Sequence, residues 1–332
     1  MKKILSLMLA LLLALSVCAC SKPKDDNAGA LPNEKVDINV YVLTGPTGIG
    51  AVNLMDTAKN GTGLHNYKFT AVAAPTDIVA KISNKEADIA AVPTNLAASL
   101  YNRTNGGVKV LAVNTLGVLY VLTNEGTEVN SIADLKNKKV YTTGQGSNPE
   151  YIINYILEKN GLNVKTDLDI QFKAEGTELA TVWATEPNAV IISPQPVATS
   201  ITMKYKGSKM ALDLTKEWEK VSSDSALMQG CVIVRNEFLA AHPEAVKDFL
   251  TDYKASIEKA KNDYDTTATL CETYGIVAKA AVAKAAMPYV GLCFIDGYDM
   301  KTKLSGFLTV LHAANPKAVG GKLPADDFWY EK

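Results

Sequence analysis

The sequence predicts an α/β protein of two lobes, each an open, mainly parallel sheet with helices on both faces. Three observations point there. Beyond the N-terminal segment, about 300 residues of near-neutral charge and ordinary apolar content remain, enough for two modest hydrophobic cores. Short β-branched apolar runs alternate with stretches of helical spacing, the pattern of strands and helices in layers. The order of those elements then recurs at an offset of about 100 residues.

Along the first half, residues 36–43 read as a strand, 50–59 as a helix, 67–73 as a strand and 77–83 as a helix with Thr76 as its N-cap. Residues 88–92 read as a short buried strand, 96–101 open a helix, and 108–122 form a long apolar strand region. In the second half, strands are expected at 140–143, 168–172 and 189–192, and helices at 149–159, 178–184 and 197–205. The halves share punctuation more than identity. "PTDIVAKI" from Pro75 falls on "GTELATVW" from Gly176, and "DIAAVPTN" from Asp88 falls on "AVIISPQP" from Ala189. In both, a Thr followed by an acid opens a helix, and an apolar strand stops at a proline.

Open sheets take ligands beyond the carboxyl ends of their strands, so the loops at those ends are the candidate site. In the first lobe they are "TGPTGIG" (44–50), with Thr44, Gly45, Pro46, Thr47 and Gly48, and "PTN" (93–95), with Thr94 and Asn95. In the second they are "TGQGSNPE" (143–150), with Gln145, Gly146, Ser147 and Asn148, and "SPQP" (193–196), with Gln195. Glycine lets a ligand approach the backbone, and the following helix offers unpaired N–H groups with a partial positive charge. Two such loops facing each other suit a small ligand with an anionic or acceptor-rich group. Gly45, Thr47 and Gly48 are expected to turn N–H groups toward it. Capping accounts for Ser147, Asn148 and Pro149, with Ser147 or Asn148 as the N-cap, but not for Gly144-Gln145-Gly146. Neither loop is a nucleotide motif, because no Lys-Ser/Thr follows and the GxGxxG spacing is missing.

At the N-terminus, Lys2 and Lys3 precede an apolar run at 4–17. That is shorter than the roughly 20 residues a membrane-spanning helix needs, so 1–19 read as an export signal. The series Val17-Cys18-Ala19-Cys20-Ser21 resembles a bacterial lipobox with Cys20 as the lipidated residue; a plain signal peptide is the alternative. Residues 20–35 are too polar to bury a core and read as a flexible, lipid-anchored tether.

Composition narrows the function. The formal net charge is −1 and no basic stripe with interleaved aromatics occurs, so no nucleic-acid partner is expected. Beyond the anchor, Cys231, Cys271 and Cys293 are odd in number and irregularly spaced, which favours buried thiols over a disulfide framework. His65, His242 and His312 lie far apart without metal-ligand spacing, so neither a metal nor a cofactor is expected. Arg103 and Arg235 are the only arginines, and a bidentate clamp on an anion is not evident. Trp183 and Tyr151 are stacking candidates for a heterocycle, with the core as the alternative.

These features resemble a family, the substrate-binding lipoproteins of bacterial ABC importers, in the group that includes nitrate, sulfonate and thiamine-pyrimidine binders. The resemblance covers nearly the whole mature chain and rests on the lipobox, "GPTGIGAVNLM", "EADIAAVPTNLAA", "SIADLKNKKVYTTGQGSNPEYIINYILEKNGL" and "CVIVRNEFLAAHPEAVKDFL". It implies a type II periplasmic-binding-protein fold, with two crossing strands, a ligand clamped between the lobes, and handover to a membrane permease. Lobe 1 would comprise 36–122 and 230–332, and lobe 2 would comprise 123–229, with crossings at 122–124 and 229–232. Relatives often carry an acid between the prolines of "ISPQPVA"; Gln195 stands there, and an amide tolerates an anion that a glutamate repels. The expectation is therefore a monomeric, extracytoplasmic, lipid-anchored solute-binding protein and not an enzyme. A ligand-sensing lipoprotein and an enzyme on the same scaffold are the alternatives.

Overall fold

The first apolar strand ends at Leu43, and two residues on, Gly45 turns the chain with φ of +85°, as Gly144 does with φ of +81° after the strand that ends at Thr143. The computed structural model describes residues 34–331; the expected export signal, Cys20 and nearly all of the expected tether lie outside the described residues. The first half runs β1 (Asp37–Leu43), α1 (Pro46–Ile49), α2 (Val52–Lys59), β2 (Asn66–Val72), α3 (Pro75–Ser83), β3 (Ile89–Pro93), α4 (Thr94–Arg103), β4 (Val108–Thr115) and β5 (Leu119–Thr123). After a 3-10 turn at Ile132–Leu135 come β6 (Lys139–Thr143), α5 (Asn148–Lys159), β7 (Asp169–Lys173), α6 (Gly176–Thr185), β8 (Val190–Pro194), α7 (Val197–Lys204), β9 (Lys209–Asp213) and α8 (Leu214–Val221). The chain returns through β10 (Gly230–Arg235), α9 (Asn236–Ala241), α10 (Pro243–Asn262), α11 (Tyr264–Thr273), α12 (Ala280–Ala286), β11 (Leu292–Ile295) and α13 (Gly297–Ala314).

These strands form two sheets, ordered β11-β4-β10-β3-β1-β2 and β7-β6-β8-β5-β9. In the first, β1 is parallel to β2 and β3, and β10 lies antiparallel between β3 and β4. In the second, β6 is parallel to β7 and β8, and β5 lies antiparallel between β8 and β9. Strand for strand, β2-β1-β3-β10-β4 repeats as β7-β6-β8-β5-β9. The internal repeat is thus a repeat of topology, with β11 added antiparallel at the edge of the first sheet, and in each lobe the antiparallel strand inside the repeat is the one that has crossed from the other lobe.

That pairing corrects one boundary. Residues 119–122 were expected in the first lobe, but β5 pairs with β8 and β9, so the first crossing is at 116–118 and not at 122–124. The apolar run breaks at Gly117, where a Cβ would stand 2.1 Å from Thr215 Oγ1. Leu116 N–H donates to Gly291 O at 2.8 Å, and Val118 N–H donates to the Gln229 side-chain oxygen at 2.9 Å. The second crossing leads into β10 at Gly230, where a Cβ would meet Asn114 Oδ1 at 2.6 Å. Glycine is required at both crossings because a neighbouring segment of the chain lies against the backbone there.

Helix starts differ from the sequence expectation in an instructive way. The N-cap of α3 is Ala74, with Pro75 preset at the first helical position, and Thr76 falls inside the first turn. The matching Thr177 lies inside the first turn of α6, whose N-cap is Glu175. Ser147 does cap α5, but its hydroxyl donates to Gly144 O at 2.7 Å and accepts nothing from the helix.

One face of the first sheet packs Ile38, Val40 and Val42 against Phe249, Tyr253 and Ile257 of α10. The opposite face joins Val92 and Ile233 to Phe307 and Leu311 of α13, and this same apolar cluster continues into Val121, Ile152 and Trp218 of the second lobe. The remaining face of the second sheet packs Tyr120, Tyr141 and Ile191 against Leu179, Trp183 and Ile201. Arg235, where no anion clamp was evident, is used within the first lobe, where its guanidinium meets Asp88 Oδ1 at 2.8 Å.

Candidate functional site

The carboxyl ends of β1 and β3 in one lobe, and of β6 and β8 in the other, carry the four glycine- and proline-rich loops. Beneath the first loop, Asn114 on β4 donates to Thr47 O at 3.2 Å and to Tyr253 Oη at 2.8 Å, so a buried amide on the sheet holds α1 in place. Burial raises the Tyr253 phenol well above its ordinary pKa, which keeps it a neutral partner. Thr44 is exposed, whereas Gly45, Pro46 and Thr47 are half-buried. The expectation that Gly45 and Gly48 turn N–H groups to a ligand is not met. Gly45 N–H donates to Ile276 O at 2.8 Å and Gly48 N–H to Gly45 O at 3.1 Å, because the short helix closes on itself. Gly48 is there for space, since a Cβ would lie 2.2 Å from Leu43 O.

In the second lobe, Gly146 N–H donates to the Glu150 carboxylate at 2.5 Å and Tyr151 Oη donates to Gly146 O at 2.8 Å. Gln145, Gly146 and Ser147 are exposed, while Asn148 is buried. Gln195 points elsewhere than expected. Its side-chain oxygen accepts from Thr199 Oγ1 at 2.7 Å, its Nε2 lies 3.4 Å from Met210 Sδ, and it is only 2% exposed, so it supports the first turn of α7 from inside the lobe. Thr94 is likewise committed, with Oγ1 donating to Met228 O at 2.7 Å and thereby tying α4 to the second crossing.

Two of the expected residues meet directly. Asn148, at the start of α5, donates through Nδ2 to Asn95 Oδ1, at the start of α4, across 3.0 Å. Beside this contact, Asn315 Nδ2 donates to Tyr151 Oη at 2.8 Å, and Asn95 Nδ2 reaches Ala318 O at 3.4 Å. On another side of the interface, Pro196, Val197 and Ser200 of the second lobe and Ile276, Val277 and Lys279 of the first line an open groove of about 370 Å³. Ile276 links this groove to the first loop, because its carbonyl holds Gly45 and its side chain packs over Gly48.

Segment 276–279 escaped the sequence reading, since it sits between two helices late in the chain; Gly275, with φ of +67°, is the local signal of the turn that delivers it. Trp183 is a core residue, donating Nε1–H to Ala189 O at 2.9 Å, and the Tyr151 hydroxyl is spent on the contacts above. Among the described residues no group of three or more His, Cys, Asp or Glu is placed to hold a metal ion, and no helix is long and apolar enough to cross a membrane.

Residues 67–266 match the family model described as NMT1/THI5 like. The chain belongs to the NMT1/THI5-like family. Among solved structures, this member is similar to an ABC transporter protein from Parabacteroides distasonis, at 24% identity over 89% of this chain and 99% of that one, with a TM-score of 0.74. It is also similar to the periplasmic aliphatic sulphonate-binding protein SsuA of Escherichia coli, at 10% identity over 90% and 93% of the two chains and a TM-score of 0.71. A third is the ligand-binding component of an ABC-type import system from Staphylococcus aureus, at 13% identity over 90% and 97%, with a TM-score of 0.64. No curated protein matches the sequence. At such identities the likeness is one of architecture, and this NMT1/THI5-like chain has the two-lobe type II periplasmic-binding-protein fold.

Proposed function

We propose that this protein is an extracytoplasmic solute-binding protein that captures a small polar organic ligand between its lobes and delivers it to an ABC-transporter permease. The observation that carries this is the loop arrangement. Five strands of the first sheet repeat the order of the second, and the loops after β3 and β6 meet across the lobes through Asn95 and Asn148, with two short crossings joining the lobes. A cleft between lobes is filled from both sides only when the lobes approach, and 116–118 and 229–230 are the places where a few torsions absorb the change. The walls we assign to the ligand are Thr47, Asn95, Gln145, Ser147 and Asn148, extended by Ser200, Ile276 and Lys279. Pro46 and Gly48 shape the loop, and Gln195 and Thr94 position its neighbours.

Lobe 1 on this reading is 36–115 with 230–331, and lobe 2 is 119–229. Lipidation at Cys20 would place the monomer on the outer face of the cytoplasmic membrane or in the periplasm, in keeping with the periplasmic origin of the sulphonate binder it resembles in fold. The binding role has a direct test. Mature protein purified gently is analysed by native mass spectrometry, and any compound released is returned to the protein in calorimetry and in X-ray scattering. The expected result is one ligand per chain with a smaller radius of gyration when bound, and a stabilisation of about 2.7 kcal/mol at a hundred times the dissociation constant. Turnover of the compound would point to an enzyme instead, and uptake that survives deletion of the gene would point to a sensor.

A further inference from the structure

Three carboxamide and carbonyl groups form a directed chain where the lobes meet. Ala318 O accepts from Asn95 Nδ2 at 3.4 Å, and Asn95 Oδ1 accepts from Asn148 Nδ2 at 3.0 Å. The polarity of this chain is set at its carbonyl end. Turning Asn148 alone would set two oxygens face to face, and turning both amides would press Asn95 Oδ1 against Ala318 O. Asn148 Oδ1 is therefore left as the free end. It is buried without a hydrogen-bond donor, on a residue only 9% exposed.

A buried acceptor without a donor is costly, more so than the average hydrogen bond is worth. The position of this one gives the cost a meaning. Asn148 opens a helix of the second lobe and Asn95 opens a helix of the first, so their bond exists only when the lobes are together. Closure without a ligand thus shuts an oxygen away unpaired, and closure around a ligand that brings an N–H or O–H supplies the missing donor. A fully ionised oxyanion brings only further acceptors. The helix start does not compensate for this, because Pro149 removes an N–H and Glu150 already places a carboxylate in the first turn of α5.

We infer that Asn148 is a specificity-determining residue, and that its Oδ1 selects ligands presenting a hydrogen-bond donor, such as a carboxamide, a sulfonamide or an amino-substituted ring, over deprotonated oxyanions of the same shape. This rests on the solute-binding reading above. The size of such discrimination follows from leaving a buried site group unpaired.

The test uses the full mature chain and matched probe pairs: urea against nitrate, methanesulfonamide against methanesulfonate, and nicotinamide against nicotinate. Calorimetry is expected to find the amide member of a pair bound at least about tenfold more tightly, with the preference collapsing in Asn148→Leu. Tighter binding of the oxyanion, or a preference that survives Asn148→Leu, overturns the inference. A second measurement needs no ligand. The double variant Asn95→Leu/Asn148→Leu removes both buried polar groups, and in scattering it is expected to be more compact than the ligand-free wild type. Equal compactness of the two would overturn the role given to Oδ1. If every probe is silent while the double variant compacts, the solute-binding reading fails for these ligand classes and the unpaired oxygen stands as a brake on closure.

Discussion

The ring of Trp218 in the second lobe meets the ring of Phe307 in α13 nearly edge-on, with centroids 5.5 Å apart. Both residues are fully buried, so the two lobes share apolar core along this side as well as two crossings. Phe307→Ala is expected to cost about 3–5 kcal/mol, the range for truncating a large buried aromatic. Thermal or denaturant unfolding measures it. A loss confined to the first lobe, with the second lobe's tryptophan signal unmoved, would mean that the lobes unfold independently despite this contact.

A second expectation concerns Asp88. Its side chain accepts from Asn39 N–H at 2.9 Å and from Arg235 at 2.8 Å, with the two partners of the ion pair 8% and 14% exposed. Asp88→Ala takes the buried partner from a largely buried guanidinium at the join of β1, β3 and β10, leaving it only the exposed Glu237 carboxylate at 2.9 Å, and up to about 3–5 kcal/mol of stability should go with it. Ligand affinity per folded molecule should stay as it was. A shifted dissociation constant would place Arg235 in the binding chemistry after all.

The two loop glycines should behave differently. At Gly48 a Cβ collides with a backbone oxygen, so Gly48→Ala should lower the melting temperature by overpacking worth about 1–3 kcal/mol. Gly146 has open space around its Cβ position, and Gly146→Ala should show only the cost of its φ of +71°, about 1–2 kcal/mol. A larger residue at this position, as in Gly48→Val, likewise tests packing and not affinity. Wild-type stability in Gly48→Ala would contradict the close contact with Leu43.

Acid sensitivity should be traceable to Asp134 in the "SIADL" stretch. Its carboxylate accepts from the N–H groups of Asn130 and Ser131, each at 2.9 Å, and these bonds hold its pKa below the ordinary carboxylate value. A lowered folded pKa contributes stability at neutral pH that is lost as the pH falls through that lowered value. Asp134→Ala should therefore melt below the wild type near pH 7, with the gap closing below roughly pH 4. A gap independent of pH would assign the effect to packing.

The three thiols should be inert while the protein is folded. Burial pushes Cys271 and Cys293 up to about 12 and Cys231 higher still, and the thiolate is the reactive form. Iodoacetamide labelling near pH 8, read by mass spectrometry, should leave all three unmodified until denaturant is added. Prompt labelling of Cys231 or Cys271, the two fully buried thiols, in the native state would show an opening that reaches the core.

Much of this architecture was legible because strands and helices advertise themselves by periodicity, and because the proline after each β3-type strand recurs in both halves. The first crossing was not. Apolar residues continue on both sides of Gly117, so only its packing against Thr215 and Gly291, both distant in sequence, shows where one sheet ends and the other begins. At the site, Asn95 and Asn148 could be read as loop residues, but their mutual bond belongs to tertiary structure. Gln195 was misread for the converse reason: an amide in a proline-rich loop reads as solvent-facing until a helix two residues later claims its oxygen.

The interleaving of strands has a consequence for assembly in time. When the chain emerges amino end first, the five strands of the second sheet, from Leu119 to Asp213, arrive as one uninterrupted stretch. The first sheet waits longer, since β3 and β4 are held apart by β10, which follows all of them. Its earliest strands must persist without their central neighbour until residue 235 is available, exposing unpaired edges in the interval. The lobe that begins first is the lobe that finishes last, and a chain cut short before Gly230 carries one sheet with all its strands and one without its central β10 and its edge strand β11.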